Sequence, residues 1–150
     1  MSTVTHSFPT PMFDRLAADG DARLPDEQAL RASIARDLGR LLNTRSTCAH
    51  ESVVGVRGTV LDYGVPDFSA RSLHSGSDRV AIEAAVARAI ELFEPRLKDV
   101  SVKFTDMPER VRAPLLRVAA RMRVGLQADP VAFELEQESG GHDPRWAEPV

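Results

Sequence analysis

Cysteine, lysine, aromatic residues and long apolar runs are all scarce in this chain, and each scarcity removes a possibility. A single cysteine, Cys48, in 150 residues cannot close an internal disulfide. No apolar run approaches the roughly 18 residues of a membrane-spanning helix. The first residues also lack the charged-then-apolar layout of a secretory signal. The sequence therefore predicts a cytoplasmic protein without membrane insertion. Neither charge dominates: the net charge is -3, and no basic patch or acidic tail stands out in any third of the chain, which weakens a nucleic-acid reading. Of the 19 basic residues only Lys98 and Lys103 are lysine. Arginine suits forked carboxylate pairs at interfaces, although genomic codon bias is the plainer cause.

Catalytic and cofactor signatures are missing as well. Neither G-x-x-x-x-G-K nor G-x-G-x-x-G can be written, so no phosphate-cradling loop is expected. There is no G-x-S-x-G elbow, and Ser139-Gly140-Gly141 falls in a tail. Cys48 and His50 form a C-x-H pair, but two ligands do not make a zinc site. His6, His74 and His142 lie far apart in sequence. No metal and no cofactor are expected.

What is present is a regular pattern of helix and strand, with hydrophobic content of 43% and charged content of 27%, both ordinary for a single globular domain. From Ile82 the larger apolar residues fall at Val86, Ile90, Phe93 and Leu97, one face of a helix, with Glu83, Arg88 and Glu91 on the other. Pro95 forces that helix to end near Glu94. Val100, Val102 and Phe104 then alternate with Ser101, Lys103 and Thr105, a half-buried strand. An earlier helix starts near Pro25 or Asp26 and buries Leu30, Ile34, Leu38, Leu41 and Leu42. Residues 1–11 read as a flexible arm, 12–138 as the domain and 139–150 as a loose tail in which Trp146 could dock. Met12 to Leu16 form a short apolar anchor.

Between the helices, residues 44–77 are least regular. Ser52-Val53-Val54 and Thr59-Val60-Leu61 read as short β-rich pieces. Asp62 to Ser69 reads as a shaped turn: Gly64 permits a positive φ, Pro66 fixes its own, and Tyr63 and Phe68 flank them. After a polar connection at 106–114, Leu116, Val118, Ala120, Met122 and Val124 alternate with polar residues, as do Val131, Phe133 and Leu135. Gly125 to Pro130 is turn material, so the pair reads as an antiparallel hairpin. Its outer face shows Arg117, Arg121 and Arg123 on one strand and Glu134, Glu136 and Glu138 on the other. Folding near Gln127 would set Arg121 beside Glu134, a pair contributing roughly 0.2–1 kcal/mol. The fold class is α+β, two main helices on a small antiparallel sheet with a C-terminal β-hairpin.

The chemistry worth weighing sits at Glu94-Pro95-Arg96. Glycoside hydrolysis would need a second carboxylate, Asp62 or Asp67, and an acid of raised pKa. Arg96 beside Glu94 works in the wrong direction, so a catalytic role is disfavoured. Two readings remain open from the residues alone: an internal strut where helix meets strand, or a contact with a partner protein.

Several motifs together resemble the baseplate wedge, gene-25-like family of contractile injection machines. They are Met12-Phe13-Asp14-Arg15-Leu16, Leu41-Leu42-Asn43-Thr44-Arg45, the segment Val60 to Ser69, and Phe93-Glu94-Pro95-Arg96-Leu97 followed by the Val100 strand. The resemblance covers about residues 12–136; Met12 stands where the family more often has leucine. It implies a non-enzymatic structural subunit of a type VI secretion baseplate. The implied partners are the wedge proteins TssF and TssG, with TssK nearby, and the TssB–TssC sheath. It further implies that Glu94, Pro95 and Arg96, with Tyr63, Gly64, Pro66 and Asp67, bind a wedge partner. The hairpin would face the sheath. A lysozyme-like peptidoglycan hydrolase and a free anti-adaptor-type regulator are the alternatives.

Overall fold

Asp26 opens the first helix by accepting the Ala29 N–H on its carboxylate at 2.7 Å, satisfying one of the donors that a helix start leaves orphaned. The helix, α1 (Glu27–Leu42), buries the expected stripe of Leu30, Ile34, Leu38, Leu41 and Leu42. It belongs to a computed structural model of the chain that describes residues 8–9, 23–24, 26–47, 58–105, 115–124, 127–138 and 145–146. The anchor at Met12–Leu16, the Cys48–His50 pair, Ser52–Val54 and the 106–114 connection lie outside the described residues.

The second helix, α2 (Gly76–Phe93), is capped by Ser75 and stops at Glu94, where Pro95 forbids continuation. Its buried face carries Ile82, Ala85, Val86, Ala89 and Ile90. Glu83 is buried too, contrary to the outward placement expected from spacing. Its carboxylate accepts the Phe104 N–H at 2.9 Å and pairs with Lys103 Nζ at 2.9 Å. The reason is the strand that follows. That strand, β3 (Leu97–Thr105), is the outer member of the sheet on this side, and Glu83 supplies an acceptor to its open edge. Arg88 and Glu91 do face outward, 3.8 Å apart.

The main sheet runs β3–β4–β5–β6, all antiparallel, with β4 at Leu115–Val124, β5 at Gln127–Glu138 and β6 at Arg145–Trp146. β1 (Phe8–Pro9) and β2 (Arg23–Leu24) form a separate antiparallel pair. Short parts of the arm and of the tail are therefore paired to other strands. One face of the sheet carries Val102, Phe104, Leu116, Val118, Ala120, Met122, Val131, Phe133 and Leu135 into a core shared with both helices. This is an α+β fold.

Two local departures from sequence expectation have simple causes. In β3 the register shifts between Lys98 and Ser101, with Asp99 at φ 53. This bulge flips the in–out parity, so Leu97 and Val102 both face the core while Val100 is only half-buried. In the hairpin only Gly125 and Leu126 separate the strands, so the pairing shifts from the one expected: Arg117 faces Glu134, and Arg121 faces Pro130. Pro130 is strand, not turn. Two residues on, the Ala132 carbonyl accepts Arg31 Nη2 at 2.9 Å from α1, marking this side of β5 as open edge. A proline there removes no ladder bond.

The loop between the helices also differs in part. Val60–Asp62 is a short 3-10 turn rather than strand, with Asp62 accepting the Thr59 N–H and hydroxyl. The following segment is zipped onto the end of α1: Val65 N–H donates to Thr44 O and Ser46 N–H to Val65 O, both at 2.9 Å. Gly64 sits between at φ 115, and a Cβ there would lie 2.5 Å from Thr44 O. No helix among the described residues is long and apolar enough to cross a membrane.

Gly64→Ala should therefore destabilise the domain by about 3 kcal/mol, combining left-handed strain with a backbone clash. Gly76→Ala, at a site with nothing within 4 Å, should change stability by less than about 1 kcal/mol. Urea midpoints of the two variants check the contrast.

Candidate functional site: an ion-paired corner

Pro95 ends α2 and the chain must turn within two residues to enter β3. That turn points the Arg96 side chain back over the corner and across to α1. Its Nε donates to Glu94 Oε1 at 2.6 Å, its Nη2 to Glu94 Oε2 and also to Asp37 Oδ2 at 2.6 Å, and its Nη1 to Ser33 Oγ at 3.2 Å. The Arg96 backbone N–H adds a bond to Glu94 Oε1 at 3.2 Å. Glu94 is 4% exposed and Ser33 1%. A fork-to-fork pair of this kind is the geometry that guanidinium and carboxylate favour.

Burial opposes the charge on Arg96, but its bonds and attraction to Glu94, then to Asp37, outweigh burial and hold the guanidinium pKa above its ordinary value. Asp37 also pairs with Arg40 at 3.2 Å. Of the two partners on α1, Ser33 interrupts the apolar stripe and Asp37 lies one turn further along. Sequence reading passed over both. A small polar residue inside a buried stripe was the available signal.

Next to the corner, the Tyr63 ring meets Phe93 edge-on, with centroids 5.3 Å apart and planes at 70°. Burial raises the Tyr63 pKa above 10.0, Asp37 adds to the rise, Arg40 opposes it, and Glu94 raises it further. The predicted residues divide by exposure. Glu94, Gly64 and Pro66 are buried; Tyr63 and Arg96 are half-buried; Pro95 and Asp67 are exposed. Asp67 turns back on its own segment, accepting the Ser69 N–H at 2.9 Å and its hydroxyl at 3.0 Å. Those bonds, backbone first, hold its carboxyl below the usual carboxylate range. Val60 and Leu61 precede Tyr63 and are 91% and 78% exposed, the most exposed large apolar side chains in the described chain.

This arrangement lends nothing to hydrolysis. Both Glu94 oxygens are taken by Arg96, Asp62 is engaged by Thr59, and Asp67 by Ser69. Among the described residues no cluster of His, Cys, Asp and Glu could hold a metal ion.

Hairpin charges are less paired than expected. Arg117 stands opposite Glu134, while Arg121 faces Pro130, donates to Ala128 O at 3.1 Å and reaches Asp99 at 4.0 Å. Arg123 faces Ala128, and Glu136 faces Leu115.

Removing the guanidinium leaves a buried carboxylate uncompensated, so Arg96→Ala should cost the isolated domain about 3 kcal/mol, while Pro95→Ala should cost under about 1 kcal/mol; chemical denaturation separates them. Tyr63 is the only tyrosine in the chain, so phenolate absorbance reads it directly. Its midpoint should lie above 10.0 and move down in Asp37→Asn, which removes a raising charge. Because the folded value is raised, Tyr63 contributes stability below pH 10.0 that is lost as pH rises through the folded pKa.

Comparison with known proteins agrees with the motif reading. A search of curated proteins finds no match. A solved structure described as the baseplate complex from the type VI secretion system contains a chain that aligns over 75% of this one and 98% of its own length, at 14% identity and a TM-score of 0.49. Residues 28–129, from α1 through the start of β5 and including the ion-paired corner, match the family of baseplate wedge protein gp25. That match covers more than half of the sequence, and the chain belongs to the gp25 baseplate wedge family.

Proposed function

We propose that this chain is a non-enzymatic structural subunit of a type VI secretion baseplate, in the place that TssE holds, joining wedge subunits to one another and anchoring the contractile sheath. The observation that carries the reading is the gp25-family match across the segment containing the corner and most of the sheet. The resemblance of the sequence motifs makes TssF and TssG the wedge partners, with TssK nearby and the TssB–TssC sheath beyond, in a cytoplasmic assembly.

The geometry supports a division of labour. Glu94 and Arg96 hold α1 and the α2–β3 turn at a fixed angle, and Gly64 and Pro66 shape the adjoining loop. The surface so formed offers Pro95, the open side of Arg96, Tyr63 and Asp67. Beside them Val60 and Leu61 are apolar groups left in water, the kind of feature that marks a protein contact. The hairpin, with Arg117, Arg121, Arg123, Glu134 and Glu136, offers the second surface. Its β5 edge is open between Ala128 and Glu136 among the described residues, and a sheath strand could add there by β-augmentation.

Two experiments separate the surfaces. In co-expression with TssF and TssG, Leu61→Asp should abolish co-purification while the thermal midpoint of the isolated chain stays within about 2 °C, as for an exposed site. Glu134→Pro, which alters the open edge, should leave the wedge complex intact and stop sheath extension. Wedge complexes that survive Leu61→Asp, or sheaths that extend on Glu134→Pro, would refute the corresponding half of the proposal.

A further inference from the structure

Arg31 stands one turn into α1, and its side chain leaves the helix to lie along the margin of β5. Its Nη2 donates to Ala132 O at 2.9 Å, and the guanidinium sits 5.6 Å from the centre of the buried Phe133 ring. Glu27, four residues earlier on the same helix, has the spacing of a helical ion pair. Arg31 nonetheless has no ion pair among the described residues. The residue is exposed, so water supports its charge for as long as the margin stays open.

Backbone direction fixes what an incoming strand would meet. Because Ala132 O points off the sheet, Pro130, Ala132 and Glu134 turn their backbone groups outward, and Phe133 turns its own toward Val118 on β4. Pro130 has no N–H to give, so Ala132 is the first position past it that can both give and take a bond. A strand adding here takes Ala132 O from Arg31. The residue of that strand across from Phe133 points to the helix side, as Phe133 does, in the kind of pair whose side chains stand closest. It lands on the guanidinium and strips away its water. A cation left between an aromatic ring and a neutral strand, its carbonyl gone, is an uncompensated buried charge.

We infer that Arg31 selects the strand: the segment that adds to β5 carries a carboxylate across from Phe133, and Arg31 passes from Ala132 O to that carboxylate as the strand docks. The inference rests on the reading of the β5 edge as a strand-docking site, and adds to it the charge and the register of the occupant. A guanidinium fork suits the exchange, since it matches a carboxylate with two parallel bonds. A side chain that served only to discourage stray pairing would need the bond to Ala132 and not the charge.

Three variants of the full chain, assembled with TssF, TssG and the TssB–TssC sheath, test this. Arg31→Lys keeps the charge and should extend sheaths. Arg31→Gln can still donate to Ala132 O but cannot form an ion pair, and should lower the number of extended sheaths at least about tenfold. Arg31→Glu should abolish extension. All three should co-purify with TssF and TssG and keep the thermal midpoint within about 3 °C, as expected of an exposed site. Selection for restored extension on Arg31→Glu should return Asp or Glu to Lys or Arg changes in one segment of the sheath proteins. Normal extension with Arg31→Gln or Arg31→Glu would overturn the inference, as would an Arg31→Glu defect that no acid-to-base change in the sheath restores. Glu134→Pro separates the two levels: if its sheaths extend, the edge reading itself fails, whereas if they do not and those of Arg31→Glu do, the selecting role alone falls.

Discussion

One guanidinium determines how the two halves of this fold meet. Arg96 leaves the α2–β3 turn, grips both oxygens of the buried Glu94, and reaches Asp37 and Ser33 on α1. Glu94 alone would be an uncompensated charge at the end of an apolar helix face, and Arg96 alone a cation over the core. Each is tolerable because the other is there. The contact also ties together segments that the apolar core would otherwise align only loosely, since hydrophobic packing is non-directional and hydrogen-bonded ion pairs are not.

The surrounding loop depends on the same corner. Tyr63 packs on Phe93, the last residue of α2, and the strand-like bridge between Arg45 and Val65 fastens the loop to the end of α1. Gly64 is the one residue type that fits this route, because the backbone passes too close to Thr44 for any side chain. A baseplate wedge protein that contacts neighbours needs a surface that keeps its shape. Here that shape comes from charge pairs and close backbone contact around a small apolar core.

Much of this was legible in the sequence because punctuation residues mark the elements. Asp26 and Pro95 bracket the helices with little ambiguity, and periodicity identified their apolar stripes. The hairpin strands were equally plain, yet their register was not: Pro130 looks like turn chemistry, and only an open edge makes it acceptable within a strand. Glu83 was misplaced because helical spacing says nothing about the unpaired N–H of a neighbouring strand. The corner posed a different problem. Glu94 and Arg96 stand out locally, but the choice between strut and interface depended on Asp37, a partner 59 residues away that no local pattern connects to them.

The two margins of the sheet are each capped at one position, by opposite means. On β3 a carboxylate from α2 occupies a backbone donor, and on β5 an arginine from α1, resting 5.6 Å from the Phe133 ring centre, occupies a backbone acceptor. Each cap fills one backbone position, so an incoming strand must displace or step around the Arg31 side chain to pair along β5, which favours a strand of matched register over an indiscriminate one.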